Sequence, residues 1–299
     1  MDIGFLISKN MKLVRRLVLI FLITALFISG FPSFHIFAEK NLRIISLAPS
    51  TTEILFELGL DKNIVGVSNY CDYPPEALTK EKVGSFSQPS IEKIISLKPD
   101  LILVAGLEQQ PAADKLKKLR LNFLLVYPSD TKGLISSIRK IGAASGCPKK
   151  AEALIEKING QINRLKKKVQ QIPIDKRKTV FIEIWNDPII TAGKGSFVNE
   201  LIGLAGGINI AADIPRSYSM ISPEVVISQN PDCIILGYMS PDSNNNYKQQ
   251  KIKMRTGWKN ISALKNDKIF SDINPDLILR PGPRCVRGAE EIYKRLYEQ

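Results

Sequence analysis

The chain has 299 residues, a formal net charge of +13, and is 44% apolar and 24% charged. These are globular proportions and exclude a disordered, collagen-like or polytopic membrane protein. The length fits about two domains, because a single core stops growing near about 250–300 residues. His35 is the only histidine, and Cys71, Cys147, Cys233 and Cys285 are too widely spaced for a CxxC knuckle. Histidine-rich metal sites and histidine-based acid/base catalysis therefore drop out.

Lys12, Arg15 and Arg16 lead into an almost wholly apolar run over residues 17–31, and Ala38 offers a small residue for cleavage, although Ile36 breaks the A-x-A pattern. The run is shorter than the roughly 20 residues of a membrane span. Residues 1–38 read as a Sec-type export signal, starting at Met1 or Met11, with an uncleaved N-terminal anchor as the alternative. No cysteine follows the run, so a lipid anchor is not indicated. Cleavage would remove four basic and one acidic side chain and leave +10. The runs Lys166-Lys167-Lys168 and Lys176-Arg177-Lys178 lack interleaved aromatics and read as a solvated helix face and its flank, not a nucleic-acid surface. An oxidising compartment permits up to two disulfides, with the pairing open.

Beyond the signal the pattern is α/β. Residues 43–47 form an apolar run of buried-strand type. Ser50-Thr51-Thr52-Glu53 has the form of a capping box, Ile54, Leu55 and Leu58 follow at helical spacing, and Gly59 is the stop. A strand over 64–67 completes a βαβ unit, which implies a parallel sheet. A short helix over 91–97, a strand over 101–104, a Lys-rich amphipathic helix over 112–120, a strand over 123–126 and a helix over 133–145 continue the alternation. Ala151, Ile155, Ile158, Ile162, Leu165 and Val169 then recur at helical spacing between Pro148 and Pro173, predicting one long helix. The pattern restarts with a strand over 180–184, a helix over 196–205 stopped by Gly206-Gly207, a helix over 222–228 and a strand over 233–236.

An internal repeat supports two similar halves. Glu92 stands seven residues before Pro99-Asp100, and Glu224 stands seven before Pro231-Asp232. Each glutamate is followed by an apolar helical turn and a serine, and each Pro-Asp by a strand. The expected fold is α/β: two Rossmann-like lobes with parallel sheets, residues 39–146 and 174–299, joined by a single long helix over 147–173, with a ligand cleft between the lobes.

The stretches RIISLAPSTTEILFELGL, VGVSNYCDYPPEA, VGSFSQPSIEKIISLKPDLIL and NPDLILRPGPR resemble the ABC-transporter substrate-binding proteins whose lobes are bridged by a rigid helix, nearest to their vitamin B12 (cobalamin) binding members. The resemblance runs from about residue 42 to the C-terminus. It implies a monomeric extracytoplasmic (periplasmic) receptor that carries a corrinoid to a permease dimer with its ATPase, with lobes that move little. Ligand contacts belong on loops at strand C-termini. Pro49, Ser50, Tyr70 and Phe86 are the candidates in the first lobe, and Trp185 and Tyr218 in the second. Tyr70 matches a ligand-contacting tyrosine, whereas Phe86 and Tyr218 stand where the family carries tryptophan. Opposed aromatic plates suit a flat, polarisable ring; the alternative is that Tyr70 and Trp185 are ordinary core residues. Asp276 and Arg280 match a ligand-contacting Asp and Arg. Four residues apart, they share a face and can pair if helical, and Arg280 could also meet a ligand phosphate or carboxylate in bidentate fashion; the alternative is a surface ion pair. Glu92 and Glu224 match the pair that docks on the transporter, and acids near helix starts are also locally favourable.

An enzyme is the competing class, and little points to it. Gly193-Lys194-Gly195-Ser196 lacks phosphate-loop spacing and reads as a strand–helix turn, and no GxSxG or GxGxxG is present. No resident cofactor or metal is expected. Ferric siderophores remain open through Arg216, Arg280, Arg284 and Arg287, and haem through Tyr70, Tyr218 and Met220.

Overall fold

Short apolar runs separated by helices pair in parallel, and the first half of the chain does so throughout. The computed structural model describes residues 42–106, 109–238 and 245–298; the export segment and His35 lie outside them. The first lobe comprises β1 (Ile44–Ser46), α1 (Pro49–Glu57), β2 (Ile64–Val67), α2 (Ile91–Ser96), β3 (Leu101–Ala105), α3 (Gln110–Lys118), β4 (Phe123–Val126) and α4 (Thr131–Ala144). Its strands pair in the order β2-β1-β3-β4, all parallel.

The apolar periodicity closes into α5 (Pro148–Gln170), 23 residues and about 35 Å long. Ala151, Leu154, Ile155, Ile158, Ile162, Leu165 and Val169 form its buried face. That face joins a single core cluster that takes in Leu58 and Ile141 of the first lobe and Val180, Leu201 and Ile292 of the second. The lysines of the helix point to solvent. No helix among the described residues is long and apolar enough to cross a membrane.

The second lobe comprises β5 (Thr179–Asn186), β6 (Ile189–Ala192), α6 (Phe197–Leu204), β7 (Ile208–Asn209), β8 (Tyr218–Met220), α7 (Pro223–Gln229), β9 (Cys233–Leu236), α8 (Asn245–Lys253), α9 (Ser262–Lys265), β10 (Ile269–Phe270), α10 (Asp276–Leu279) and α11 (Cys285–Tyr297). Strands β7, β9 and β10 run parallel with β5 or its neighbour, so β7-β5-β9-β10 repeats the first sheet. The second sheet is nevertheless mixed, where parallel pairing alone was expected. Strand β5 doubles back through Asp187-Pro188 into β6, and β8 adds to β6, both antiparallel. A two-residue turn forces that direction.

The sequence repeat has a physical basis. The Asp100 carboxylate accepts the Arg43 N–H at 2.9 Å, beside the start of β1, and the Asp232 carboxylate accepts the Thr179 N–H at 2.8 Å, at the start of β5. Each Pro-Asp ties its own strand to the neighbouring one. The expected capping box, by contrast, does not form. Helix α1 starts at Pro49 with Ala48 as the cap residue and no side-chain cap. The Thr51 and Thr52 hydroxyls donate to the Ala48 carbonyl at 3.0 Å, and Glu53 is drawn into an ion pair with Arg284 instead. All four cysteines are free thiols, with Cys71, Cys233 and Cys285 buried.

Candidate ligand-binding cleft

The C-terminal ends of the parallel strands open on a cleft of about 700 Å³. From the first lobe it is lined by Ala48, Pro49 and Ser50 after β1, Tyr70 after β2, Phe86 and Ser87, Gly106 after β3, and Tyr127-Pro128-Ser129 after β4. From the second it is lined by Ile184 at the end of β5, Gly195-Ser196-Phe197 after β6, Ser217 and Tyr218 on and beside β8, and Pro275, Asp276, Leu279 and Arg280 around α10. Ligand sites gather at such strand ends because loops there converge without disturbing the sheet. Three tyrosines present open surface into this space: Tyr70 is 58% exposed, Tyr127 49% and Tyr218 44%.

Several contacts set the walls. Gln109, fully buried, accepts the Ala105 N–H at 2.7 Å and donates to the carbonyls of Leu47 at 2.7 Å and Phe86 at 2.8 Å. One amide thereby fixes the ends of β1 and β3 and the loop that carries Phe86. In the second lobe the Gly193 N–H donates to the Ser217 carbonyl at 2.9 Å. The carbonyls of Ile214 and Arg216 lie where a Cβ on residue 193 would sit, so glycine lets this segment close against β6. The Gly193–Ser196 stretch is a strand–helix turn, as read: the Ser196 hydroxyl accepts the Asn199 N–H and caps α6.

Three links tie the two lobes to each other. Glu200 of α6 accepts the Thr131 hydroxyl at 2.8 Å and the Thr131 N–H at the start of α4. Arg284 grips Glu53 with two nitrogens at 2.6 and 2.8 Å and lies over the Tyr73 ring. Arg280 reaches Asp72 with two nitrogens and Asp276 with its Nε at 3.0 Å. The fork of Arg280 is thus occupied by two carboxylates and is not a free cation awaiting a ligand anion. Arg280 holds the Asp72 carboxyl below its ordinary range, whereas burial pushes the Asp276 carboxyl up against the pull of Arg280. Burial likewise raises Glu53, opposed by Arg284.

Seven of the eight candidate contacts thus meet at one cleft: Pro49, Ser50, Tyr70, Phe86, Tyr218, Asp276 and Arg280. Trp185 stands outside the lining, where its neighbour Ile184 takes the place at the wall. Trp185 is half exposed, and its indole N–H donates to the Asp187 carbonyl at 2.9 Å. Glu92 and Glu224 lie away from the cleft, both exposed, each second in a helix capped by a serine, Ser90 for α2 and Ser222 for α7. Arg216, Arg284, Arg287 and Met220 do not line the cleft. Sequence reasoning missed Tyr127, Phe197 and Gln109. Tyr127 directly follows a strand, so the rule that selected Tyr70 finds it too. Gln109 carries no periodic or motif signal.

Residues 44–274 match the periplasmic binding protein family. The chain belongs to that family. It is 35% identical over 260 residues to an uncharacterized ABC transporter substrate-binding lipoprotein, YvrC, of Bacillus subtilis, covering 85% of this chain and 80% of YvrC. The crystal structure of the periplasmic vitamin B12 binding protein BtuF of Vibrio cholerae superposes with a TM-score of 0.74 at 30% identity, covering 85% of this chain and 96% of BtuF. The periplasmic heme-binding protein RhuT from Roseiflexus superposes with a TM-score of 0.75 at 26% identity, covering 86% and 98%. This family member is a substrate-binding protein of an ABC importer; proteins of the family are transport components rather than enzymes and bind small-molecule ligands.

Proposed function

We propose that this protein captures cobalamin or a related corrinoid outside the cytoplasm and hands it to the permease dimer of an ABC importer. The observation that carries the reading is the composition of the cleft. Phe86, Tyr70 and Tyr127 oppose Tyr218 and Phe197, while Arg280, the single arginine among the described lining residues, is neutralised by Asp72 and Asp276. Aromatic walls hold a flat ring through apolar area and polarisability. A ferric siderophore of high negative charge would need free cations there, and the arginines considered for that task lie elsewhere or are paired. Likeness to BtuF supports the same ligand class. The cross-lobe pairs and the continuous core around α5 favour a cleft that is largely formed before the ligand arrives.

Isothermal titration with cyanocobalamin, dicyanocobinamide, haemin and a ferric catecholate siderophore tests this. One-to-one binding of the corrinoids, with haemin and siderophore at least about a hundredfold weaker, is expected; preferential binding of either competitor refutes it. Haem is the second reading, favoured by the three tyrosine hydroxyls at the cleft and the likeness to RhuT. A tyrosinate–iron charge-transfer band on adding haemin, absent in Tyr70→Phe, would establish it.

Glu92 and Glu224 are the proposed docking contacts for the two permease subunits. Their matched places on helices of the two lobes suit a two-fold symmetric partner.

A further inference from the structure

We infer that Trp185, Ile190 and Met220 form a second ligand subsite, an apolar shelf at the mouth of the cleft that takes the planar base of a nucleotide tail carried by the corrinoid. This rests on the corrinoid reading above and adds selectivity to it.

The register of the second sheet carries the inference. Trp185 pairs with Ile190, and Ile190 pairs with Met220, so the three form one row across β5, β6 and β8. Directly paired residues of antiparallel strands share a face. Two rows inward Ala192 pairs with Tyr218, and residues two apart on a strand also share a face. The Trp185 row therefore lies on the same side of the sheet as Tyr218, which lines the cleft. The opposite side belongs to other residues: Ile189 and Ile221 pack with Phe181 and Trp258, and Glu183 pairs with Arg255.

A register shift between Glu183 and Trp185 produces this arrangement. Without it, alternation from Glu183 would put residue 185 on the far face of the sheet. With it, Ile184 meets the cleft wall and Trp185 continues the same surface outward.

The row is open. Met220 is 69% exposed and Trp185 49%, in a chain whose other tryptophan, Trp258, is fully buried. The Trp185 N–H is already satisfied by Asp187, so the ring offers a plate with no unmet donor. Met220 adds a polarisable thioether suited to an aromatic edge. The shelf adjoins the cleft through Tyr218, which lines it. A part of the ligand that extends past Tyr218 on the second-lobe side meets this row. Stacking a base on an aromatic plate is worth about 1–3 kcal/mol, or roughly 5- to 150-fold in affinity.

Cyanocobalamin, which carries the base, and dicyanocobinamide, which lacks it, separate the shelf from the cleft. Both are titrated into wild type, Trp185→Ala and the Trp185→Ala/Met220→Ala double variant. The shelf predicts that cyanocobalamin weakens about tenfold or more in the variants while dicyanocobinamide stays within about twofold. Equal loss for both ligands, or no loss for cyanocobalamin, overturns it. If wild type binds neither corrinoid, the functional reading has failed and the shelf with it; if wild type binds and the variants do not discriminate, only the shelf has failed. Both residues are solvent-exposed, and a far-ultraviolet circular dichroism spectrum matching wild type verifies folding.

Discussion

Arg280 and Asp72 stand 208 positions apart in the sequence and are joined by two guanidinium–carboxylate contacts of 2.5 and 3.2 Å. With Asp276 on the third nitrogen, the pair closes the cleft floor between residues that follow β2 and residues that follow β10. The charge of Arg280 is thereby compensated before any ligand enters.

The pair makes an acid-dependent prediction. Arg280 holds the Asp72 carboxyl below its ordinary value of 3.8, chiefly through the hydrogen bond. A carboxyl depressed in the fold binds its proton more weakly there than in the unfolded chain. Its stabilising effect is therefore complete above about pH 4 and fades as the pH falls through the depressed value. Asp72 is 44% exposed, so solvent screening keeps the effect small, under about 1 kcal/mol. Wild type should melt about 2 °C above Asp72→Asn at neutral pH, and the two curves should converge near about pH 2. A gap that persists undiminished in acid would mean the carboxylate charge contributes nothing.

Glu53 is the more costly partner to strand. It is 3% exposed, and its pair with Arg284 offsets the desolvation that pushes its pKa up. Arg284→Ala leaves a buried carboxylate without a counterion and should cost about 3–5 kcal/mol, read as a shift of the urea midpoint. Glu53→Gln in the same background removes the stranded charge and should recover more than half of that loss. If the double variant is no better than Arg284→Ala, the damage arises from lost packing over Tyr73.

Gln109 acts through geometry. Replacing it with alanine leaves the Ala105 N–H without its acceptor and the Leu47 and Phe86 carbonyls without donors, a cost of about 1–3 kcal/mol. Hydrogen exchange should accelerate in residues 84–90 while the strands of the second lobe keep their protection. Uniform acceleration across both lobes would contradict a role confined to the cleft wall.

The thiols give a chemical check. Burial raises the pKa of Cys71 and Cys233, and pushes Cys285 up to about 12. A thiol reagent at pH 8 should therefore modify the half-buried Cys147 first, with the other three reacting only after denaturation. Fast modification of two or more thiols in the folded protein would refute the burial assigned to them.

How much of this was legible beforehand follows from the reach of each signal. The first lobe and α5 were readable because each element has its own local period; the strands over 64–67 and 123–126 match their expected bounds. The antiparallel extension was not. Strands β6 and β8 are four and three residues long, too short for alternation to register. The placement of Trp185 depends on a register shift that no composition marks. The capping-box reading of Ser50 and Glu53 failed because the competing partner, Arg284, is 231 residues away. The same distance problem hid the partners of Arg280: the i,i+4 contact with Asp276 was visible in the spacing, and Asp72 was not.

The repeat that revealed two lobes also carries the last prediction. Glu92 and Glu224 each occupy the second position of a serine-capped helix that leads through Pro-Asp into a parallel strand, and both side chains face solvent. The Glu224 carboxyl is held below its usual range by its own backbone N–H and Ser222. Neither residue contributes to the cleft, so reversing the charge of either should leave ligand affinity within about twofold. Docking onto the permease should weaken instead, because opposite charge at a rim steers encounter and fixes register. In proteoliposomes containing the importer, Glu92→Lys and Glu224→Lys should each reduce ligand uptake about tenfold, and the pair should reduce it further, with the effect of a single reversal shrinking at high salt. Unchanged uptake in the double variant, or loss of ligand binding in a folded single variant, would end the docking assignment.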